Sequence, residues 1–327
     1  MSDITPSTKL KCVTVHKLQD TSCLRKYFWN RVLNLESRKV NLNFHYGSVL
    51  HAGFETLLMT HNISKALFAL TTESKKRQKR YTITTEDLDE LDLQVQIIQL
   101  FIKAASIQPW VNRLKMLWTE RQFRCQVADT GVTFCSQVDG GGSAGKDDVL
   151  FEIKTAKSVN NSYFEALSFD HQIHGYGYQM QQEHQRFPSK CAFCVFRKPS
   201  KYIKKGQSRE AFVQEIKTDL FKRPEWYFIA DPQTHQFPYM LTMGRNTIEQ
   251  TGRDVVRATQ ILQKQYQCPE KEILNPYHWP CNDKQCLNYG ACTYLPLCRN
   301  MAKWQLYTRL YQQRECIYAE EQKELQR

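Results

Sequence analysis

Apolar and polar positions follow two rhythms along the 327 residues, and the change between them divides the chain. "CLRKYFWNRVLNL" (Cys23–Leu35) repeats Tyr27 or Phe28, Arg31 or Val32 and Leu35 at helical spacing. A second amphipathic helix is expected after Gly47, with Val49, Leu50, Phe54, Leu57 and Leu58 as its apolar positions. "ESKKRQKR" (73–80) reads as a basic, solvated connector. Residues 85–108 predict a helix, opened by Thr84 or Thr85 with acids in its first turn and stopped by Pro109. A period of two then takes over. "TERQFRCQV", "GVTFCSQVDG" and "DDVLFEIKTA" are short alternating runs separated by "ADTG" and "GGGSAGK", the pattern of an antiparallel meander. A long helix over about 161–186, a strand "KCAFCVFRK" and a helix over about 246–266 follow, the last carrying Ile248, Val255, Val256 and Leu262. Residues 268–298 are rich in cysteine and irregular, and a short helix is expected from about 300. The sum predicts an α/β (α+β) fold in one compact unit: a helical N-terminal part (1–110), a sheet-centred core (111–266) and a cysteine-rich tail (267–327).

Composition narrows the partner. The chain is long enough to bury a large core, and 41% hydrophobic with 24% charged residues argues against wholesale disorder. No stretch approaches about 18 consecutive apolar residues, so no membrane-spanning helix is expected. "MSDITPSTKL" lacks the apolar centre of a secretory signal, so a cytoplasmic location is expected and the twelve cysteines are not read as a disulfide framework. Lys plus Arg outnumber Asp plus Glu by 45 to 33, a formal charge of +12, which favours a polyanion, nucleic acid first.

The chemistry centres on "DDVLFEIKTAK" (147–157). On a strand, Glu152 and Lys154 share one side, while Phe151 and Ile153 face the other. Alone, the pair is either a surface ion pair or half of an active site. Asp139 ends the preceding strand, directly before Gly140–Gly142, and a hairpin can bring it beside Glu152 to share a divalent ion. Carboxylate oxygens suit Mg²⁺ or Mn²⁺. Such an ion polarises a phosphoryl oxygen and activates a water, and Lys154 can orient that water or stabilise developing charge. Asp147 and Asp148 are rival acids, but Asp148 lies on the strand of Glu152 rather than across the hairpin, so Asp139 is preferred.

The spacing Asp-X12-Glu-X-Lys resembles the signature of the PD-(D/E)XK nuclease superfamily, and three further segments resemble its RecB-like, CRISPR-associated-exonuclease-like branch. "SCLRKYFWNRVLNL" resembles that branch's opening helix, "YGSVLHAGFE" its Gly-X3-His segment, and "HQIHGYGYQM" its Gln-X3-Tyr motif, matched by Gln172 and Tyr176. The four occur in the family's order across roughly 23–180. The resemblance implies a restriction-endonuclease-like core, a mixed sheet flanked by helices. It also implies a Mg²⁺- or Mn²⁺-dependent deoxyribonuclease, in particular a phage-type stand-alone exonuclease of DNA end processing, recombination or repair. Its catalytic residues would be Asp139, Glu152, Lys154, Gln172 and Tyr176, and its metal ligands His51, Asp139, Glu152 and Ile153. Glu120 resembles an acid that assists the metal site.

"CNDKQCLNYGACTYLPLC" gathers Cys281, Cys286, Cys292 and Cys298, and four thiolates by themselves suit one zinc. The resemblance implies instead a [4Fe–4S] cluster held by Cys23, Cys286, Cys292 and Cys298, with Cys281 a spare ligand and Zn²⁺ the alternative ion. Such a cluster would staple the two ends of the chain. Cys191 and Cys194 read as small core residues of a buried strand. Phosphate contacts are expected from the Arg197–Arg209 loop with Tyr202 interleaved, and from Arg25 and Lys26. No base-reading motif is present, so the expected partner is DNA, as ends or single strands without sequence specificity, with recombination or replication proteins beside it and no membrane. Two other readings stand beside the nuclease: a non-catalytic DNA-binding module of the same fold, and a zinc-stabilised interaction protein.

Overall fold

The period-two region builds the centre of the protein. A computed structural model describes residues 6–184, 189–286, 291–316 and 318–325. The chain opens with β1 (Cys12–Thr14), α1 (Val15–Asp20), α2 (Leu24–Tyr27), a π-helical turn (Phe28–Val32) and β2 (Leu35–Ser37). Three long helices follow, α3 (Leu42–Thr60), α4 (Ile63–Gln78) and α5 (Thr85–Ser106). The meander is β3 (Leu114–Val127), β4 (Val132–Ala144) and β5 (Asp147–Ala156), after which α6 (Asn161–Ser168) and α7 (His171–His184) lead to β6 (Lys190–Arg197). Next come α8 (Arg209–Lys222), α9 (Pro224–Tyr227), β7 (Phe228–Ile229), β8 (Tyr239–Thr242) and α10 (Arg245–Tyr266). The tail holds α11 (Glu270–Ile273), α12 (Leu295–Arg299), a 3₁₀ segment (Met301–Leu310), β9 (Tyr311–Gln313) and α13 (Ala319–Leu325).

The sheet is mixed and flanked by helices. Its path is β1-β4-β5-β6-β7, with β3 on the other edge of β4 and β8 on β6. β1 runs parallel to β4 and β5 parallel to β6; the other pairings are antiparallel. Strand alternation assigns the faces. Phe151, Ile153, Cys194 and Phe196 pack with Phe54 of α3, Phe101 of α5 and Ile216 of α8. Leu150, Cys191 and Phe193 pack with Ile173 and Tyr176 of α7 and Ile248 of α10. Glu152 and Lys154 share the second face by strand period. A third core joins Tyr27, Phe28 and Trp29 to Trp279 and Leu297 of the tail.

Several expectations are corrected. The 73–80 segment is not a loop as far as Gln78, where α4 ends, a helix the basic composition concealed: Glu73 and Arg77 pair at 2.7 Å one turn apart, and Ser74 is buried against His45. The helix after Gly47 begins five residues before it, capped by the Asn41 side chain. The first helix gives way to β2 at Leu35, because Leu35–Ser37 pair with the distant Tyr311–Gln313. "GGGSA" is strand rather than loop. β3 crosses so closely over Gly141 and Gly142 that a Cβ there would stand 2.1 Å from the Trp118 ring and 2.0 Å from the Lys115 carbonyl. The helix expected over 161–186 breaks at Phe169–Asp170, where Asp170 accepts from the Gln172 N–H at 2.8 Å and starts α7 anew.

Candidate active site

Register places the acids. Gly140 of β4 pairs with Phe151 of β5, so the next positions outward are Asp139 and Glu152. There the strands separate, β4 towards β1 and β5 along β6, and the Asp139 carboxylate fills the gap by accepting from the Ile153 N–H at 2.9 Å. Helix α3 packs Phe54 under this point and thereby delivers His51. Its Nε2–H donates to the Ile153 carbonyl at 2.7 Å, while Nδ1 lies 3.5 Å from Asp139 and 3.6 Å from Glu55. One ligand atom each from His51, Glu55 and Asp139 lies within 4.8 Å of the others.

Glu152 is 2% exposed, one oxygen paired with Lys154 Nζ at 2.6 Å and the other, Oε2, buried without a hydrogen-bond partner. Lys154 also reaches Asp170 at 3.3 Å and donates to Gln172 Oε1 at 3.1 Å; Gln172 in turn donates to the Tyr176 hydroxyl at 2.5 Å. The structure thus brings His51, Asp139, Glu152, Ile153, Lys154, Gln172 and Tyr176 into one cleft of about 1360 Å³. Glu120 sits on its lip, exposed and in the left-handed region at φ 48°, which a non-glycine residue adopts only under local constraint. Asp147 and Asp148 stand at the far end of β5, where Asp147 pairs with Lys190 at 2.7 Å.

Two residues of the cluster escaped the sequence reading. Glu55 follows His51 by four on α3 and so shares its face; that spacing was available as a signal. Asp170 was hidden inside an apparently continuous helix, and only the Ser-Phe-Asp-His punctuation hints at a new start.

Burial and crowding shift the protons. Burial pushes the Glu152 carboxyl up to about 8, with the Asp139 charge adding to it and Lys154 opposing. Burial likewise raises Glu55, to about 7. Desolvation works against the charged His51 ring, but Asp139, Glu55 and Glu152 outweigh it and raise its pKa to about 9. All three folded values exceed the ordinary 4.5 or 6.5. The native state therefore holds protons that the unfolded chain has released, so stability is full below about pH 5 for these groups and falls as pH rises towards about 9. Thermal unfolding in chelator should show this decline; a midpoint that is level or rises over the window would contradict the assignment.

Basic residues on the cleft wall are Lys76, Arg77, Lys157 and Lys198, and Phe44 stands among them with 72% of its surface exposed. The expected phosphate contacts are placed differently. Arg25 Nε donates to the Trp279 carbonyl at 3.1 Å, and Lys26, 42% exposed, pairs with Asp20 at 2.9 Å. In the 197–209 loop, Arg197 lies 4.0 Å above the Trp226 ring and Lys201 pairs with Glu215, while Tyr202 is 80% exposed.

The chain ends meet at the cysteines. The Arg25 N–H donates to the Pro280 carbonyl at 2.9 Å, and Tyr27 stacks on Trp279 at 5.7 Å. The Asn282 N–H points to Cys23 Sγ at 3.4 Å, Trp29 Nε1 to Cys298 Sγ at 3.3 Å, and Cys292 N–H to the Cys286 carbonyl at 2.8 Å. Burial raises the Cys281 thiol to about 12, with Cys23, Cys286 and Cys298 adding to the shift; Cys292 is raised by burial and by Cys286 and Cys23. Electrostatic interaction links Cys281 with Cys23, Cys286 and Cys298, and Cys292 with Cys286 and Cys23; among the described residues, no three of these sulfurs lie within 4.8 Å of one another. Cys191 and Cys194 are fully buried in β6. Among the described residues, no helix is long and apolar enough to cross a membrane.

No protein-family model matches the chain, and no curated protein matches its sequence. Among solved structures, the fold is similar to the crystal structure named "Putative exonuclease" from Eubacterium rectale, at 9% identity and a TM-score of 0.45 over 84% of this chain and 86% of that one.

Proposed function

We propose that the protein is a metal-dependent DNA nuclease that hydrolyses phosphodiester bonds, working from DNA ends, with the cleft as its active site. The observation that supports this most is the unpartnered Glu152 Oε2. A buried carboxylate oxygen without a donor is costly, and Glu152 lines a cleft that also holds Asp139, Ile153 and His51. Oxygen donors with one imidazole suit Mg²⁺ or Mn²⁺, and His51, Asp139, Glu152 and the Ile153 carbonyl are the groups that would hold the ion. When bound, it supplies Lewis-acid polarisation of a phosphoryl oxygen and a lowered pKa for water. Lys154, fixed by Glu152, Asp170 and Gln172, places a positive charge where charge develops on phosphorus. Gln172 and Tyr176 hold that ammonium in place. Lys76, Lys157 and Lys198 on the wall track a phosphate backbone, and the exposed Phe44 ring offers a face on which an unpaired base can stack.

The same reading gives Cys23, Cys286, Cys292 and Cys298 a structural [4Fe–4S] cluster, with zinc the alternative. It is supported by thiols from both chain ends meeting beside N–H groups that point at sulfur.

The test is digestion of end-labelled linear and circular DNA, single- and double-stranded, with Mn²⁺. Linear DNA should be degraded and circles spared, and Lys154→Ala should be inactive. Equal activity of the two proteins would sink the proposed site. Cleavage of circles would replace exonuclease by endonuclease action, and binding without cleavage by either protein would leave a DNA-binding module.

A further inference from the structure

Outside the cleft and the thiol neighbourhood, the segment that follows α10 carries a second group of metal-binding side chains. One ligand atom each from Cys268, Glu272 and His278 lies within 4.8 Å of the others. Cys268 Sγ and His278 Nε2 are 3.5 Å apart. A tetrahedral zinc with bonds of about 2.3 Å to sulfur and about 2.0 Å to nitrogen requires a separation of about 3.5 Å between those atoms. The Gln265 carbonyl lies 3.3 Å from the same sulfur and 3.1 Å from the same nitrogen. It belongs to the last turn of a 22-residue helix, where carbonyls without a helical partner gather negative potential that favours a cation.

We infer that Cys268, Glu272 and His278, completed by the Gln265 carbonyl, form a site for one zinc-type divalent transition-metal ion. A thiolate, an imidazole and a carboxylate together select such an ion over Mg²⁺. The competing account is a small hydrogen-bonded knot in which the thiol and the imidazole N–H both donate to the Gln265 carbonyl. That account explains two contacts and makes no use of the exposed Glu272 carboxylate, which stands within 4.8 Å of both ligand atoms. On binding, the Cys268 thiol proton leaves to solvent and the imidazole proton moves from Nε2 to Nδ1, so that sulfur and Nε2 each present a lone pair. The ion would close the chain between the end of α10 and His278. Trp279 comes next, fully buried against Tyr27 and Phe28, and its carbonyl holds Arg25. The site thus anchors the segment that leads into the Cys281–Cys298 group, and it stands whether or not the cleft cuts DNA.

Titration of the reduced full chain with Co²⁺ tests this, because a cobalt–thiolate bond gives a charge-transfer absorption. The expected result is loss of one equivalent of that absorption, and of one equivalent of bound zinc by elemental analysis, in both Cys268→Ser and His278→Gln. Cys292→Ser should retain that equivalent. His278→Gln keeps a side-chain donor for the Gln265 carbonyl, so it preserves the hydrogen-bonded knot while removing a ligand. Near-ultraviolet circular dichroism, dominated here by buried tryptophans such as Trp279, reports whether each variant is folded. Unchanged cobalt absorption and zinc content in folded His278→Gln would overturn the site. So would an equivalent lost in Cys292→Ser and kept in Cys268→Ser, which would assign the ion to the thiol group.

Discussion

Glu152→Gln is expected to lower DNA cleavage by roughly 10²–10³-fold, the scale of losing one preorganised group that stabilises developing charge, with DNA binding retained. The amide keeps the shape of a side chain that is 2% exposed and keeps one oxygen towards Lys154, so the strand and its packing survive. What it removes is the charge that makes the unpartnered Oε2 a cation ligand. Because the ordinary and folded values of this carboxyl, 4.5 and about 8, bracket most of the window in which stability declines, the same substitution should flatten that decline in chelator. Asp170→Asn provides the contrast. Asp170 touches Lys154 and is not among the groups that would hold the ion, so activity should fall only about 10–100-fold, the usual cost of disturbing a supporting residue. Steady-state cleavage beside calorimetry separates the two cases. Equal losses in both variants would mean that Glu152 acts only by positioning Lys154.

The second large effect concerns the thiols. In Cys292→Ser, iron and the visible absorption of the proposed cluster should be lost together, and the unfolded protein should gain stability on the order of 5 kcal/mol relative to the native state, the scale of releasing a very long covalent loop. The contact between Cys23 and Asn282 joins residues 259 positions apart, so a cluster there ties down almost the whole chain. Elemental analysis with chemical denaturation measures both quantities. Stoichiometric zinc with no iron would replace the cluster by a zinc site, and wild-type metal content in Cys292→Ser would remove Cys292 from the ligand set. The cleft should feel the loss as well, since Glu315, Cys316 and Tyr318 of the same tail line its wall.

Much of this site was legible because local rules are short-ranged. Alternation put Glu152 and Lys154 on one side of a strand, the two runs around "GGGSAGK" made a hairpin that sets Asp139 beside Glu152, and four-residue spacing aligned Gln172 with Tyr176. The Thr84 cap and Pro109 bounded α5 to within two residues. Each of these depends on backbone geometry within a few residues, which the side chains themselves specify.

The rest depended on partners far along the chain. Leu35–Ser37 leave the helical pattern because β9 supplies hydrogen bonds from some 275 residues away. The basic segment stays helical as far as Gln78 because Ser74 holds His45 one turn after Leu70, which packs into the core shared with α3 and α5. The three glycines are strand because β3 crosses them too closely for a side chain. The break at Asp170 is capped locally by its bond to the Gln172 N–H, but only the fold brings that carboxylate to Lys154, 3.3 Å away. By itself, then, the sequence determined the alternating and helical segments and the residues able to do acid, base and metal chemistry. Only the tertiary structure decided which of them share a cleft, which cations are already spent on carbonyls and acids, and how the two ends of the chain meet, because those outcomes follow from packing and from hydrogen-bond satisfaction across the whole fold.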